Sequence, residues 1–218
     1  NGGKEMTDRK ALGGRVRLAI GATFLLSTWG AVAEPLNVKL DWTPWAVHAP
    51  FHLAVEKGWF KQAGLDVRLE DGNGSVTAVQ IVGGSDRFDV GQAALASMVI
   101  ARSKGLPVKG LATFATSSDI GVLVPKDSGI SGPEGLKGRK IAYTAGSLEA
   151  PFVDAFLASG GLRRSDVDLL SVDAAGKAAT YAVGRADAVI STIPFVLASV
   201  SRQRASNAIP FAQHGLDM

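Results

Sequence analysis

The chain has 218 residues, of which 46% are hydrophobic and 20% charged, so it can bury a real core and is not intrinsically disordered. Its formal net charge of +3 would favour an acidic partner, but the basic excess lies in the first 33 residues. Setting aside the five Lys/Arg and two Asp/Glu found there reduces 23 basic and 20 acidic residues to 18 of each. The composition therefore gives no support to nucleic-acid binding, which needs a concentrated basic face.

Residues 1–33 have the pattern of a secretory signal peptide. Basic residues precede the apolar run Leu18–Leu26, and Ala31-Val32-Ala33 is a small-x-small cleavage pattern. The alternative, a membrane anchor, needs about 20 apolar residues, and this run is shorter. The chain has no cysteine, which excludes a disulfide framework and a lipid-bearing cysteine. We therefore predict a soluble periplasmic protein, cleaved near Ala33, whose fold begins after residue 33.

Strands and helices alternate from residue 34 onward. The first predicted series is strand Leu36–Leu40, helix Pro50–Lys57, strand Leu65–Leu69, helix Val76–Val82 capped by Ser75, strand Phe88–Gly91, helix Ala93–Lys104 and strand Val108–Phe114. The second is strand Gly121–Pro125, strand Ile141–Tyr143, helix Leu148–Ser159, strand Val167–Val172, helix Ala174–Val183, strand Ala186–Ile190, helix Pro194–Gln203 and strand Ala208–Phe211. This alternation, with short Gly/Pro connections, predicts an α/β fold around mainly parallel sheets.

A small, polar stretch, Ala115–Asp119, separates the two series and predicts a boundary between lobes. We expect residues 34–116 to form the first part of lobe one and residues 117–211 to form lobe two. Residues 212–218 are expected to begin a return to lobe one. Because Met218 follows neither a helix stop nor a polar tail, we expect the sequence to be a fragment of a longer chain.

The loop Leu40–His48 follows the first predicted strand and contains two indoles, an acid, an imidazole and a proline in nine residues. This combination is typical of a ligand-binding loop at the carboxyl end of a strand. The alternative is a capped turn with one buried tryptophan, because aromatic residues serve packing at least as often as binding.

Two other loops, Gly72-Asn73-Gly74-Ser75 and Gly146-Ser147, precede predicted helices. Free N–H groups and the positive end of a helix dipole favour an anionic ligand at such loops, whereas the alternative is an ordinary serine-capped helix.

Metal binding and catalysis receive little support from the sequence. His48, His52 and Glu56 are four residues apart, but Pro50 places His48 before the helix, so we predict no metal and interpret His48 as a polar pocket contact. A Gly-x-Ser-x-Gly elbow does not occur, and the glycine loop at Gly72 lacks the Gly-Lys-Ser/Thr ending of a phosphate loop. We therefore expect no enzyme activity and no cofactor.

Several segments together resemble the substrate-binding proteins of ABC importers, in the group that binds thiamine-pyrimidine precursors, alkanesulfonates, taurine and nitrate. The segments are Leu40–Pro44 with His48, Ala54–Val67, Phe88–Gly91, Lys126–Ile130, Leu136–Ile141 and Gly184–Ala188. The resemblance implies a type II-like periplasmic binding fold, in which two lobes joined by a hinge clamp a small-molecule ligand. It also implies an ABC permease in the inner membrane as partner, and we expect a monomer.

The resemblance assigns roles to particular residues. It implies that Trp42 stacks on a planar ring and that Glu149 faces a ring amine of a thiamine-pyrimidine-type ligand. Trp45 departs from the group's pattern, which has a small polar residue there. The full predicted ligand set is Asp41, Trp42, His48, Asn73, Gly74, Ser75, Gly146, Ser147 and Glu149.

Two alternatives remain open at this point. One is a binder of an alkanesulfonate, taurine or another small anion, served by the two helix-start loops. The other is an enzyme like the related fungal pyrimidine synthase, which carries a lysine for pyridoxal phosphate and a histidine one turn later. Those positions are Ala93 and Ser97 here, and without an amine no Schiff base forms.

Overall fold

The computed structural model describes residues 34–216, and the predicted signal peptide with its cleavage point lies outside that range. The strands are β1 Glu34–Lys39, β2 Leu65–Glu70, β3 Val90–Gly91, β4 Ile120–Pro125, β5 Lys140–Tyr143, β6 Asp168–Ser171, β7 Ala188–Thr192 and β8 Ser206–Pro210. The helices are α1 Ala49–Glu56, α2 Trp59–Gln62, α3 Ser75–Gly84, α4 Leu95–Ser103, α5 Val153–Ser159, α6 Ala174–Ala182 and α7 Ile193–Val200.

The strands form two sheets. Sheet one has the order β2-β1-β3, with β1 parallel to both neighbours. Sheet two has the order β6-β5-β7-β4-β8, in which β5 is parallel to β6 and β7, while β4 is antiparallel to β7 and β8. Helices connect the parallel strands, as crossovers between parallel strands require. The predicted α/β fold with parallel-rich sheets is confirmed.

The main core lies on both faces of sheet two. Alternate residues of β4 point to opposite faces, so Val122 and Val124 belong to the cluster around Phe156, whereas Leu123 packs with Tyr181 and Val196. Each of these six side chains is fully buried. Because both faces are covered, β4 is a continuous apolar run rather than an alternating one.

The predicted strand Val108–Phe114 is wrong. Within the described chain it pairs with no strand, and Leu111 and Phe114 are 81% and 62% exposed. The edge strand β3 pairs over only two residues and so offers few free backbone groups to a further strand.

Two helix starts also differ from prediction. Helix α5 begins at Val153 rather than Leu148, after a 3₁₀ turn over Ala150–Phe152, because Pro151 cannot lie inside a helix. Ser75 is the first residue of α3 and not its cap, a position held by Gly74. No helix within residues 34–216 is long and apolar enough to cross a membrane.

Candidate ligand-binding site

The loops that follow β1, β2 and β5 meet between the two sheets. The Gly74 N–H donates to the carbonyl of Asp41 at 2.5 Å, and the N–H groups of Val76 and Thr77 donate to the carbonyl of Gly146 at 3.1 and 3.4 Å. The parallel strands end at these loops, so the sequence places its polar loop residues at the edges where α/β proteins bind ligands. The free N–H groups expected at the start of α3 are thus directed at Gly146 in this conformation.

Sheet one and α6 are also joined through Asn73. Its Oδ1 accepts a hydrogen bond from the N–H of Ala174, the first residue of α6, at 2.9 Å. The same turn of α6 is capped by Asp173, whose side chain accepts from the N–H of Gly176. The start of α6 is therefore fixed both within its own lobe and to the loop after β2.

Two glycines permit the close approach of the loops. Gly74 has φ of +133°, and a Cβ built on it would lie 2.0 Å from the Gly146 oxygen. A Cβ on Gly146 would lie 2.2 Å from Oγ1 of Thr77. The contact at Gly74 is with backbone atoms and its φ is positive, so that position requires glycine, whereas a side chain at Gly146 would require the Thr77 hydroxyl to rotate away.

Asp41 binds two buried side chains with its two carboxylate oxygens. His48 Nε2 lies 3.0 Å from Oδ1, and the Ser75 hydroxyl donates to Oδ2 at 2.8 Å. Asp41 is 4% exposed, and His48 and Ser75 are fully buried. Ser75 Oγ also accepts from the N–H of Ala94 at 3.0 Å, which ties the segment after β3 to the group. These bonds fix the orientation of the imidazole.

The other imidazole nitrogen, His48 Nδ1, is buried and has no hydrogen-bond partner among the described residues. When a neutral imidazole donates from Nε2, its Nδ1 is an acceptor. The side chain thus has one unused acceptor.

Trp42, Glu149 and Lys177 form a buried contact between the sheets. Trp42 follows β1, Glu149 follows β5, and Lys177 lies in the first half of α6. Lys177 Nζ is 2.6 Å from Glu149 Oε1 and 4.5 Å from the centroid of the Trp42 ring. Lys177 is fully buried, and Glu149 and Trp42 are 2% and 8% exposed. One ammonium therefore satisfies both a carboxylate and an indole face.

Burial lowers the pKa of Lys177, and the charge and hydrogen bond of Glu149 partly oppose that effect. A buried ammonium is costly without a counter-ion, and removing either member of such a pair leaves an uncompensated charge. The buried Lys177–Glu149 pair beside Trp42 therefore carries a desolvation cost.

Trp45, the departure from the group's pattern, covers this contact from one side. Its ring lies 6.1 Å from that of His48 and 5.9 Å from that of Phe195, both edge-to-face. Phe195 also meets Trp42 edge-to-face at 6.2 Å. Trp45 Nε1 is buried without a hydrogen-bond partner in the described part of the chain. Trp42, Trp45 and Phe195 thus form an aromatic cluster, in which Trp42 contacts the Lys177 amine.

A separate cleft of about 420 Å³ lies between α3, α4 and the turn after β5. It contains none of the nine predicted ligand residues, although Val76, Ala145 and Ala150 are their neighbours in sequence. Its lining is Val76, Gln80, Ser97, Ile100, Ala101, Lys104, Tyr143, Ala145, Ala150, Pro151 and Arg164. The buried Ser97 Oγ has no partner within residues 34–216. Lys104 and Arg164 make the cleft positive, although Arg164 Nε is bonded to Asp154 at 2.8 Å.

The structure thus brings together six of the predicted residues: Asp41, Trp42, His48, Gly74, Ser75 and Glu149. The remaining three lie nearby, but their polar groups are exposed or form other hydrogen bonds. Asn73 is exposed, Gly146 accepts from α3, and the Ser147 hydroxyl donates to the carbonyl of Thr144 at 2.6 Å.

Sequence reasoning missed Lys177 and Phe195. A lysine in an alanine-rich helix is usually solvated, and the only signal at Phe195 was its position just after a strand end. Of the three residues weighed as metal ligands, His48 is buried while His52 and Glu56 are exposed, so they share no face. The described residues contain no group of three or more metal-binding side chains.

Residues 45–217 match the family model described as NMT1/THI5 like. The chain belongs to the NMT1/THI5-like family. The predicted resemblance to the group of pyrimidine, sulfonate and nitrate binders is thereby confirmed.

Curated relatives of this NMT1/THI5-like chain include proteins of two kinds. A formylaminopyrimidine-binding protein of Halalkalibacterium halodurans is 29% identical over 73% of this chain and 48% of its own length. A 4-amino-5-hydroxymethyl-2-methylpyrimidine phosphate synthase of Saccharomyces cerevisiae is 33% identical over 50% of this chain and 32% of its own. The chain therefore spans about a third to a half of these relatives.

Solved structures support the fold. A protein of Bordetella bronchiseptica RB50 superposes with a TM-score of 0.64 at 29% identity, covering 84% of this chain and 66% of that one. The alkanesulfonate-binding protein SsuA of Xanthomonas axonopodis pv. citri gives a TM-score of 0.62 at 20% identity, covering 80% and 59%. The predicted two-lobed fold of periplasmic binding proteins is confirmed by these likenesses.

Proposed function

We propose that this protein is the periplasmic solute-binding component of an ABC import system and that it clamps a small heteroaromatic ligand of the thiamine-pyrimidine type. Membership of the NMT1/THI5-like family and the formylaminopyrimidine-binding relative support this class of ligand. Sheet one belongs to lobe one and sheet two to lobe two, with the boundary in the segment before β4. The partner is the permease, and the binding protein acts as a monomer.

The observation that carries the proposal is the position of the Lys177 amine, which touches both the Trp42 ring and the Glu149 carboxylate. A flat ring with an amino substituent presents the same two features, a face for the indole and a donor for the carboxylate. Stacking of an aromatic pair contributes about 0.5–1.5 kcal/mol beyond area burial. The chemistry of Trp42 and Glu149 therefore suits an aminopyrimidine, and a pyrimidine-binding relative in the family supports the same ligand class.

Two further polar groups would orient the ligand in the pocket. His48 Nδ1 is an unused acceptor, and Trp45 Nε1 is an unused donor among the described residues. A pyrimidine has ring nitrogens that accept and substituents that donate, so it can satisfy both. Asp41 acts indirectly: its carboxylate bonds His48 at Nε2 and holds the ring in place, which leaves the other ring nitrogen, Nδ1, for the ligand.

A small anion such as a sulfonate is the second candidate, and the positive cleft with Lys104, Arg164 and the unpartnered Ser97 favours it. The helix-start loops support it less, because the first N–H groups of α3 are bonded to Gly146. Ala93 occupies the position that the resemblance assigns to the lysine, and this argues against the synthase activity of the yeast relatives.

Calorimetric titration of the whole protein with 4-amino-5-hydroxymethyl-2-methylpyrimidine and with taurine tests this proposal. We expect the pyrimidine to bind and Trp42→Leu to weaken it about two- to tenfold, the range that lost stacking implies. Trp59→Leu is the matched control, because Trp59 is 53% exposed and lies on α2. Binding of taurine alone would replace the pyrimidine proposal by the anion one.

A further inference from the structure

We propose that Lys177 is a built-in competitor for the ligand, whose ammonium occupies the place of the ligand's amino group and has to leave when the ligand binds. This inference rests on the proposed function and deepens it. It assigns to Lys177 the choice between ligands with and without an amino group.

The geometry leaves room for one amine. Lys177 Nζ lies 2.6 Å from Glu149 Oε1 and 4.5 Å from the Trp42 ring centroid, and all three side chains are at least nine-tenths buried. A ligand amine bonded to the same carboxylate oxygen, Oε1, and lying against the same ring would overlap the ammonium. The two therefore exclude each other rather than bind side by side.

Lys177 has a way out. Its ammonium stands on a flexible four-carbon stem, and it lies in the first turn of α6. That turn is joined to the opposite sheet by the single Ala174–Asn73 bond and by the Lys177–Trp42 contact. Opening of the lobes would separate both contacts together and withdraw Lys177 from the indole, after which rotation of its stem would let the ammonium leave Glu149, a residue on the same side as Lys177.

The competitor has two effects on binding. The apparent dissociation constant is the intrinsic value divided by the fraction of protein whose site is free, so Lys177 weakens every ligand that needs the site. A ligand without an amino group also displaces the ammonium but leaves Glu149 buried and unpaired, which is strongly unfavourable. Lys177 and Glu149 together therefore select for aminated rings.

The first test compares Lys177→Met with Lys137→Met, a control that removes an exposed lysine of the same lobe. We expect Lys177→Met to bind 4-amino-5-hydroxymethyl-2-methylpyrimidine at least about tenfold more tightly than the wild type, as for a site that is free in about a tenth of molecules. The control should bind as the wild type does. Unchanged or weaker binding by Lys177→Met would overturn the inference, because the lysine would then be neutral or a direct contact.

The second test needs no pyrimidine. In Lys177→Ala, n-propylammonium chloride should fill the vacated place beside Glu149 and raise the midpoint of thermal unfolding, whereas sodium chloride at the same ionic strength should not. The wild type and Lys137→Ala should show no such difference. If propylammonium gives no rise specific to Lys177→Ala, the amine place does not exist and the inference fails.

A third variant leaves no unpaired buried charge, so it should fold even if Lys177→Met does not. Lys177→Met combined with Glu149→Met replaces both members of the pair by apolar side chains that neither donate nor accept, and it should bind the aminopyrimidine and its analogue without the amino group equally well. Retained preference for the amine would overturn the inference. Pyrimidine binding with none of the Lys177 effects would leave the proposed function standing, whereas amine rescue without pyrimidine binding would remove the proposed ligand and keep the amine place.

Discussion

Asp41 bonds two buried side chains, and its replacement by alanine tests how much these bonds contribute to the stability of the protein. Asp41→Ala leaves His48 Nε2 and the Ser75 hydroxyl without their acceptor. Each unsatisfied buried group costs about 1–3 kcal/mol, so we expect the free energy of unfolding to fall by about 2–6 kcal/mol in urea denaturation. Asp86→Ala is the control, because Asp86 is exposed, and it should change stability by less than about 0.5 kcal/mol. Equal, small effects of both substitutions would show that the Asp41 bonds do not stabilise the protein.

The residue types were enough to predict where the candidate residues lie relative to the strands, but not which hydrogen bonds and ion pairs they form. Trp42, His48 and Glu149 follow strand ends, and such positions meet at the edge of a parallel sheet, which the sequence reveals. Which partner each takes depends on the register of elements far apart in the chain. Lys177 pairs with Glu149, which is 28 residues away in the chain, so no local pattern marks it.

At the scale of elements, the contact between the loops after β2 and β5 depends on glycine. Gly74→Ala would place a methyl group 2.0 Å from the Gly146 oxygen and would keep φ in a region that side chains rarely adopt. We expect the loops to separate, with a loss of at least about 2 kcal/mol in unfolding free energy and weaker ligand binding.

Gly84→Ala is the matched control for that substitution. Gly84 ends α3, its φ is not positive and nothing lies within 4 Å of the added Cβ. Alanine there should leave binding unchanged and stability equal or higher by up to about 1 kcal/mol. If Gly74→Ala behaves like Gly84→Ala, the two loops do not need their close approach.

Strands and helices could be predicted from the sequence where the pattern of neighbouring residues alone determines them. The alternating or apolar runs of β1, β2 and β4 formed strands as expected. The apolar segment Val108–Phe114 did not, because a strand also needs a partner with free backbone groups, and β3 supplies only two paired residues. Ser75 was expected to cap α3, yet its hydroxyl donates to Asp41, a residue 34 positions away that no local rule includes.

At the scale of the molecule, the loops at the strand ends of the two sheets contact each other, and the candidate binding residues lie where they meet. Sheet one contributes Trp42 and the Asp41–His48 pair, whereas sheet two contributes Glu149 and Lys177. A ligand that contacts both sides binds best when they are closed, which is how a clamp couples binding to domain motion. The alternation of strands and helices was enough to predict the α/β fold, and the polar boundary stretch and the family resemblance predicted its two lobes, but nothing in the sequence marked the Lys177–Glu149 ion pair on the side of sheet two.

A crystal structure of the whole protein with 4-amino-5-hydroxymethyl-2-methylpyrimidine tests the central claim most directly. We predict the ring against Trp42, its amino group within hydrogen-bond distance of Glu149, and Lys177 Nζ away from both. A pyrimidine in the 420 Å³ cleft beside Lys104 and Arg164, with Lys177 still against Trp42 and Glu149, would contradict the account.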